Sequence, residues 1–197
     1  MTLTATTELG TQSWVEKILG SSGAQPMLIL FLVTGIMAIG RYFAGPIIHK
    51  INIIGILFIS AIIATIAIGL MSSASGNIVY LYAILFAIGV CYFWPNMIAF
   101  VAEYFPKTGA LGMSLIGGVG MVGLSIFQPI IGGWLDTEKA KAVALNIPAD
   151  AVELAAGQAT LGNIVVFPAI LVVIFGILWL MRHKLEAMKG VDGIKNV

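Results

Sequence analysis

Apolar residues fall into five long runs, and short polar connectors separate them. A helix that crosses a bilayer needs roughly 20 mostly apolar residues. The five runs cover about residues 26–47, 51–72, 78–105, 109–135 and 162–181. The connectors His49-Lys50, residues 73–77 and residues 106–108 are short, so successive helices must be antiparallel neighbours. Two segments lie outside these runs. Residues 1–25 are polar, with Leu9, Trp14, Ile18 and Leu19 as apolar positions of an outer surface segment. Residues 136–161 form an Ala-rich, charged external loop, in which Asn146-Ile147-Pro148 marks the start of a short helix leading into the fifth run. Residues 184–197 form a polar tail.

The five runs differ in kind. The second carries only Ser60 and Thr65 as mid-span polar residues, and the fifth has only the indole N–H of Trp179 between Ile164 and Met181. Both read as lipid-facing. The third places Tyr82, Tyr92, Asn96 and Glu103 roughly on one helical face. The fourth carries Ser114, Gly118, Met121, Ser125 and Gln128 as a polar stripe. Gly109, Gly112, Gly120 and Gly123 lie on another face, where a neighbouring backbone can approach closely. The third, fourth and fifth runs make one triplet that ends on a bland helix. The first and second make another whose leading helix is expected to be absent, since residues 1–9 are too few for a full span. Three-helix repeats of this sort occur in secondary transporters.

Composition agrees with the pattern. Of the 197 residues 59% are hydrophobic and 10% charged, against roughly 25% charged in a soluble domain. The mean hydropathy is +1.04. A soluble enzyme, a disulfide-stapled domain and a disordered tail are thereby excluded. The lone Cys91 forms no internal disulfide, and a net charge of +1 offers no footprint for nucleic acid. Residues 1–25 lack the basic start and apolar run of a secretory signal. Lys and Arg are distributed unevenly. Arg41, Lys50, Lys107, Arg182, Lys184, Lys189 and Lys195 share one side with three acids, while the other side has three cations and six acids. The positive side is expected in the cytoplasm. This puts the C-terminus inside and the N-terminus outside a cell (inner) membrane.

Several short motifs carry a family resemblance. Gly40-Arg41-Tyr42-Phe43-Ala44-Gly45-Pro46 with Lys50 looks like a Gly/Arg loop motif at a cytoplasmic turn. Glu103-Tyr104-Phe105-Pro106-Lys107 looks like the acidic end of a tenth helix. Gln128-Pro129 followed by Gly132-Gly133 looks like the bend of an eleventh, and Thr7-Glu8-Leu9-Gly10 with Trp14 like the outer end of a seventh. In order and spacing these resemble the C-terminal half of a major facilitator superfamily transporter, eighth to twelfth helices. The resemblance implies an all-α polytopic membrane bundle of five transmembrane helices, an MFS-like half-bundle lacking its first helix, and a truncated chain. It also implies alternating-access transport of a small solute, coupled to a proton or ion, against an N-terminal half not contained in this sequence.

The candidate residues each have two readings. Arg41 and Glu103, at the cytoplasmic ends of their helices, either latch a gate together or snorkel separately to the interface; Gly40, Gly45 and Lys50 flank that site. Pro95 removes a backbone bond to the Cys91 carbonyl. The resulting kink would let Asn96 and Trp94, with Tyr92, contact solute, or Asn96 bonds a neighbouring helix while Trp94 packs. Gln128 lines the cavity or satisfies backbone freed by Pro129. Glu8 sits near the outer mouth or is a solvated acid on a frayed end. His49 and His183 lack companions at ligand spacing, so no metal is expected, and neither is any other cofactor. No nucleophile–base set or intramembrane carboxylate pair is present, so the chain is not read as an enzyme. The middle of the membrane is expected to hold no ionisable side chain, which would put any proton carrier in the other half. The side chains suggest a neutral polar solute such as a sugar. The alternative is a complete five-span protein that binds or regulates partners and transports nothing.

The charge asymmetry makes a topology testable. With single cysteines at positions 77, 144 and 196 in a Cys91→Ala background, an impermeant thiol reagent on intact cells should label the first two only. Labelling of position 196 from outside would reverse the orientation.

Overall fold

The computed structural model describes residues 1–20, 25–45 and 51–184. Lys50 and the tail beyond Lys184 lie outside the described residues. Regular structure among the described residues is helical throughout. Helix α1 (Thr2–Ala5) passes through a π-turn (Thr6–Gly10) into α2 (Thr11–Gly20). Then come α3 (Pro26–Tyr42), α4 (Ile53–Met71), α5 (Ile78–Val90) and α6 (Phe93–Tyr104). After a 3₁₀ turn (Pro106–Thr108) follow α7 (Gly109–Ala144), α8 (Ala149–Ile164) and α9 (Val166–Leu180).

Among the described residues, four helices are long and apolar enough to cross a membrane: Ile53–Met71, Ile78–Tyr104, Pro106–Ala144 and Ala151–Leu180. The first expected span yields a helix of only 17 residues, Pro26–Tyr42. It ends at Tyr42, where the C-cap Phe43 leaves helical geometry with φ −89° and ψ 11°. In the fourth, helix outlasts hydropathy. Helix α7 has 36 residues, about 54 Å at 1.5 Å per residue. Its last turns contain Glu138, Ala140, Lys141 and Ala142, all good helix formers. The segment expected as an external loop is the α7–α8 hairpin, pinned by Lys139 Nζ to Glu153 (2.8 Å) and by Gln158 Nε2 to the Ala74 carbonyl (2.7 Å).

Side-chain bonds set the directions. Helix α3 runs parallel to α5: the Gln25 amide donates to Tyr80 Oη (2.8 Å) at one end, and Tyr92 Oη donates to the Gly40 carbonyl (3.0 Å) at the other. The α1–α2 segment runs antiparallel to α3. Gln12 donates to Thr34 (3.4 Å), while Glu8, earlier in sequence, meets Arg41, later in sequence. The N-terminal segment is therefore packed into the bundle, not laid along its surface. Thr4, Ala5, Thr6, Thr7, Glu8, Thr11 and Val15 are all at most 2% exposed. Its threonines tolerate burial by returning hydroxyls to their own helix: Thr4 to Met1, Thr6 to Thr2 and Thr7 to Leu3 carbonyls, all at 2.8–2.9 Å. Helical residues thus run from Thr2 to Gly20, ahead of Pro26–Tyr42, where a polar surface segment was expected.

Glycines set the closeness of the packing. A Cβ on Gly89 would lie 2.7 Å from the Ala64 amide nitrogen, so α4 and α5 touch backbone to backbone. The Gly120/Gly123 face of α7 takes α1, where added carbons would strike Met1 and Thr2 side chains. This matches the expected role of those two glycines. The bland α4, expected to face lipid, is instead central: Ile54, Leu57, Ala61, Ala64, Ala67 and Ile68 are essentially inaccessible. In a lipid solvent an apolar side chain serves equally for core and surface, so a helix without polar groups does not declare its side. Conversely α7 is largely uncovered, with Leu111, Leu115 and Val122 strongly exposed.

Replacing Gly89 with Ala should lower stability by about 1–3 kcal/mol through overpacking. Gly118→Ala, where nothing lies within 4 Å, should be neutral or slightly stabilising. Thermal unfolding in detergent followed by circular dichroism compares the two. Equal melting points would mean that the α4–α5 contact is not close.

Candidate functional site

Halfway along the 27-residue Ile78–Tyr104 segment the helix is interrupted at Cys91–Tyr92, between α5 and α6. Pro95 is the local cause. It has no N–H to give the Cys91 carbonyl four residues back, and its ring crowds that carbonyl. The Asn96 amide still donates to the Tyr92 carbonyl (3.1 Å), so α6 restarts at once. The carbonyl that Pro95 leaves open accepts from Arg41 Nε at 3.0 Å. The Trp94 amide, which a continuous helix would aim at Val90, donates to Glu8 Oε2 at 3.3 Å. Arg41 Nη2 and Glu8 Oε1 close the circuit at 2.5 Å.

The charges match the helix ends. Carbonyls at the end of α5 carry partial negative charge and receive the guanidinium; amides at the start of α6 carry partial positive charge and receive the carboxylate. Glu8 is 2% exposed, Arg41 40%. Gly40 makes room: a Cβ there would fall 2.7 Å from Cys91 Sγ. Cys91 Sγ donates to the Met37 carbonyl (3.4 Å), which with Tyr92 Oη on Gly40 fixes α3 against the interruption.

Glu8, Arg41, Gly40, Tyr92 and Trp94 are thus brought together. Arg41 takes Glu8 as its partner rather than Glu103. The reason is register: Arg41 lies level with Cys91, and Glu103 is twelve residues on, about 18 Å along the axis. Glu8 is correspondingly a buried acid inside the bundle, not a solvated one at a frayed end. The third apolar run has no charged side chain of its own at its midpoint, but it is met there by Glu8 and Arg41 from two other segments. Gln128 lies elsewhere, its Oε1 accepting from Trp14 Nε1 at 2.6 Å. Gly45 has open space around it. Asn96 is wholly inaccessible, and neither amide atom has a hydrogen-bond partner. Thr11 Oγ1 is also buried without a partner. It follows the π-turn, which displaces the carbonyl its hydroxyl would otherwise reach. Sequence reading passed over Thr11; its place in the run of threonines from residue 2 to 11 was the available signal.

No family model, no curated protein and no solved structure matches the chain.

The pair should behave asymmetrically. Arg41→Ala strands a buried carboxylate and should cost about 3–5 kcal/mol. Glu8→Gln keeps an acceptor for Trp94 and leaves Arg41 its outlet to the exposed side, so it should cost less. A double-mutant cycle on thermal unfolding should return a coupling above about 1 kcal/mol. Additive losses would mean that the two side chains do not meet.

Proposed function

We propose that the chain is one helical bundle of a facilitator-type secondary transporter, which carries a small solute across a cell membrane by alternating access. The observation that carries this reading is the ion pair of Arg41, whose side chain is partly exposed, with a buried Glu8, at the level of the midpoint of an apolar helix. A charge at such a depth is costly against hydrocarbon and marks a water-filled path or a solute site by default. An interrupted helix with polar groups at the break is the sort of element that binds solutes at the midplane of transporters. In this reading Arg41 faces the cavity, a second bundle forms the opposite wall, and Trp94 and Tyr92 border the site. The orientation follows the Lys/Arg asymmetry, with the C-terminus in the cytoplasm.

The test is uptake into proteoliposomes. The chain alone should not transport, because one wall of a cavity cannot alternate. Co-reconstituted with an N-terminal facilitator half of seven helices, it should give saturable uptake of one member of a panel of labelled sugars, carboxylates and amines. Arg41→Ala should abolish that uptake. Failure of every solute with the partner present, or uptake indifferent to Arg41→Ala, would overturn the reading.

A further inference from the structure

The Glu8–Arg41 arrangement also bears on the chemistry of the solute. Guanidinium has five N–H donors. Arg41 uses Nε on the Cys91 carbonyl and one Nη2 hydrogen on Glu8. Its side chain is 40% exposed, whereas the carboxylate it holds is 2% exposed. These bonds leave Nη1 and the second Nη2 hydrogen for a ligand that approaches from the side Glu8 does not occupy. Beside it, Tyr42 and Phe43 are 83% and 57% exposed. Glu8 itself demonstrates what the site recognises: one oxygen on the guanidinium and one on a backbone amide at the start of a helix.

Resting on the transporter reading above, we propose that Arg41 is the recognition group for a small carboxylate solute, with Glu8 as its resident counter-ion, so that one proton is taken up on Glu8 as the solute binds. The argument is one of charge. The pair is neutral as it stands. A second carboxylate on Arg41 would leave one net negative charge among apolar helices, which is expensive. A proton added to Glu8 restores neutrality. It goes onto the carboxylate oxygen that held Arg41, the hydrogen bond from Nη2 passes to the solute, and no covalent bond breaks. The other Glu8 oxygen keeps the Trp94 amide.

The surroundings leave Glu8 as the acceptor of that proton. Arg41 on α3 stays charged. The Cys91 thiol and the Tyr92 phenol, at the interruption, are already protonated donors to the Met37 and Gly40 carbonyls. Helix α7 from Gly109 to Leu135 and helices α4 and α9 contain no Asp, Glu, His, Lys or Arg. Helix α6 contains Glu103 and the phenol of Tyr104, both at its far end, and α5 only the phenols of Tyr80 and Tyr82.

The experiment is a binding titration on the full chain in lipid nanodiscs, read by tryptophan fluorescence. Acetate, L-lactate and benzoate are compared with inorganic phosphate, chloride and glucose. At least one carboxylate should saturate, with affinity rising towards tenfold per pH unit between pH 7.5 and 5.5, as one linked proton requires. Glu8→Gln should bind that carboxylate tightly at pH 7.5 with the pH slope gone. Arg41→Lys should lose at least tenfold, since a point charge replaces the fork. If Glu8→Gln does not fold, an indicator dye in weak buffer reads the wild type directly, and one proton per bound carboxylate is expected. Saturation by glucose or phosphate with no carboxylate bound, an unchanged slope in Glu8→Gln, or no proton uptake would each overturn the proposal. Carboxylate binding without uptake by any proteoliposome would refute the transporter reading and spare this one; uptake of a neutral solute without carboxylate binding would do the reverse.

Discussion

Two rungs of a helix ladder are missing at Cys91–Tyr92, and an ion pair stands in their place. The Cys91 carbonyl and the Trp94 amide would each cost several kcal/mol if left bare in an apolar setting. Arg41 and Glu8 satisfy them from two different segments. The pair thus joins α3, the N-terminal helix and both halves of the interrupted helix at one point. The inward register of the N-terminal helix and the lie of α3 both depend on it. A charged pair in such a place is costly to form, but it is the solution that satisfies donor, acceptor and both charges together.

Around this point, packing is governed by the absence of side chains. Gly40 admits Cys91, Gly89 admits the backbone of α4, and Gly120 and Gly123 admit α1. Apolar area gives no preference for one helix over another when the solvent is itself apolar, so closeness of approach and polar contacts decide which faces meet. The core accordingly runs along α4, where Ala61, Ala64 and Ala67 are buried together with Ile54, Leu57, Ile68 and Met71.

Much of this was legible in the sequence, though unevenly. Helical class and most helix positions follow from apolar runs. The opening of the Cys91 carbonyl follows from Pro95 alone, because proline chemistry is local. The groups that fill it were not legible. Whether Arg41 meets Glu8 or Glu103 depends on how far α3 slides along α5, which the two sequences do not encode separately. Glu8 was misplaced because its segment is polar on average. Its threonines, however, bond back to their own carbonyls and so become tolerable inside. The end of α7 was misjudged because a hydropathy window stops where charge begins, whereas helix propensity does not.

The interruption has a mechanical side. A continuous helix resists bending because bending stretches backbone bonds along one edge. At Cys91–Tyr92 the rungs that would be stretched belong to the long side chains of Arg41 and Glu8, which can swing and remain bonded. The α5–α6 segment is therefore a jointed rod rather than a beam, with its pivot at the level of the charges. Tilt of α6 about that pivot moves its far end, near Tyr104, through the largest arc.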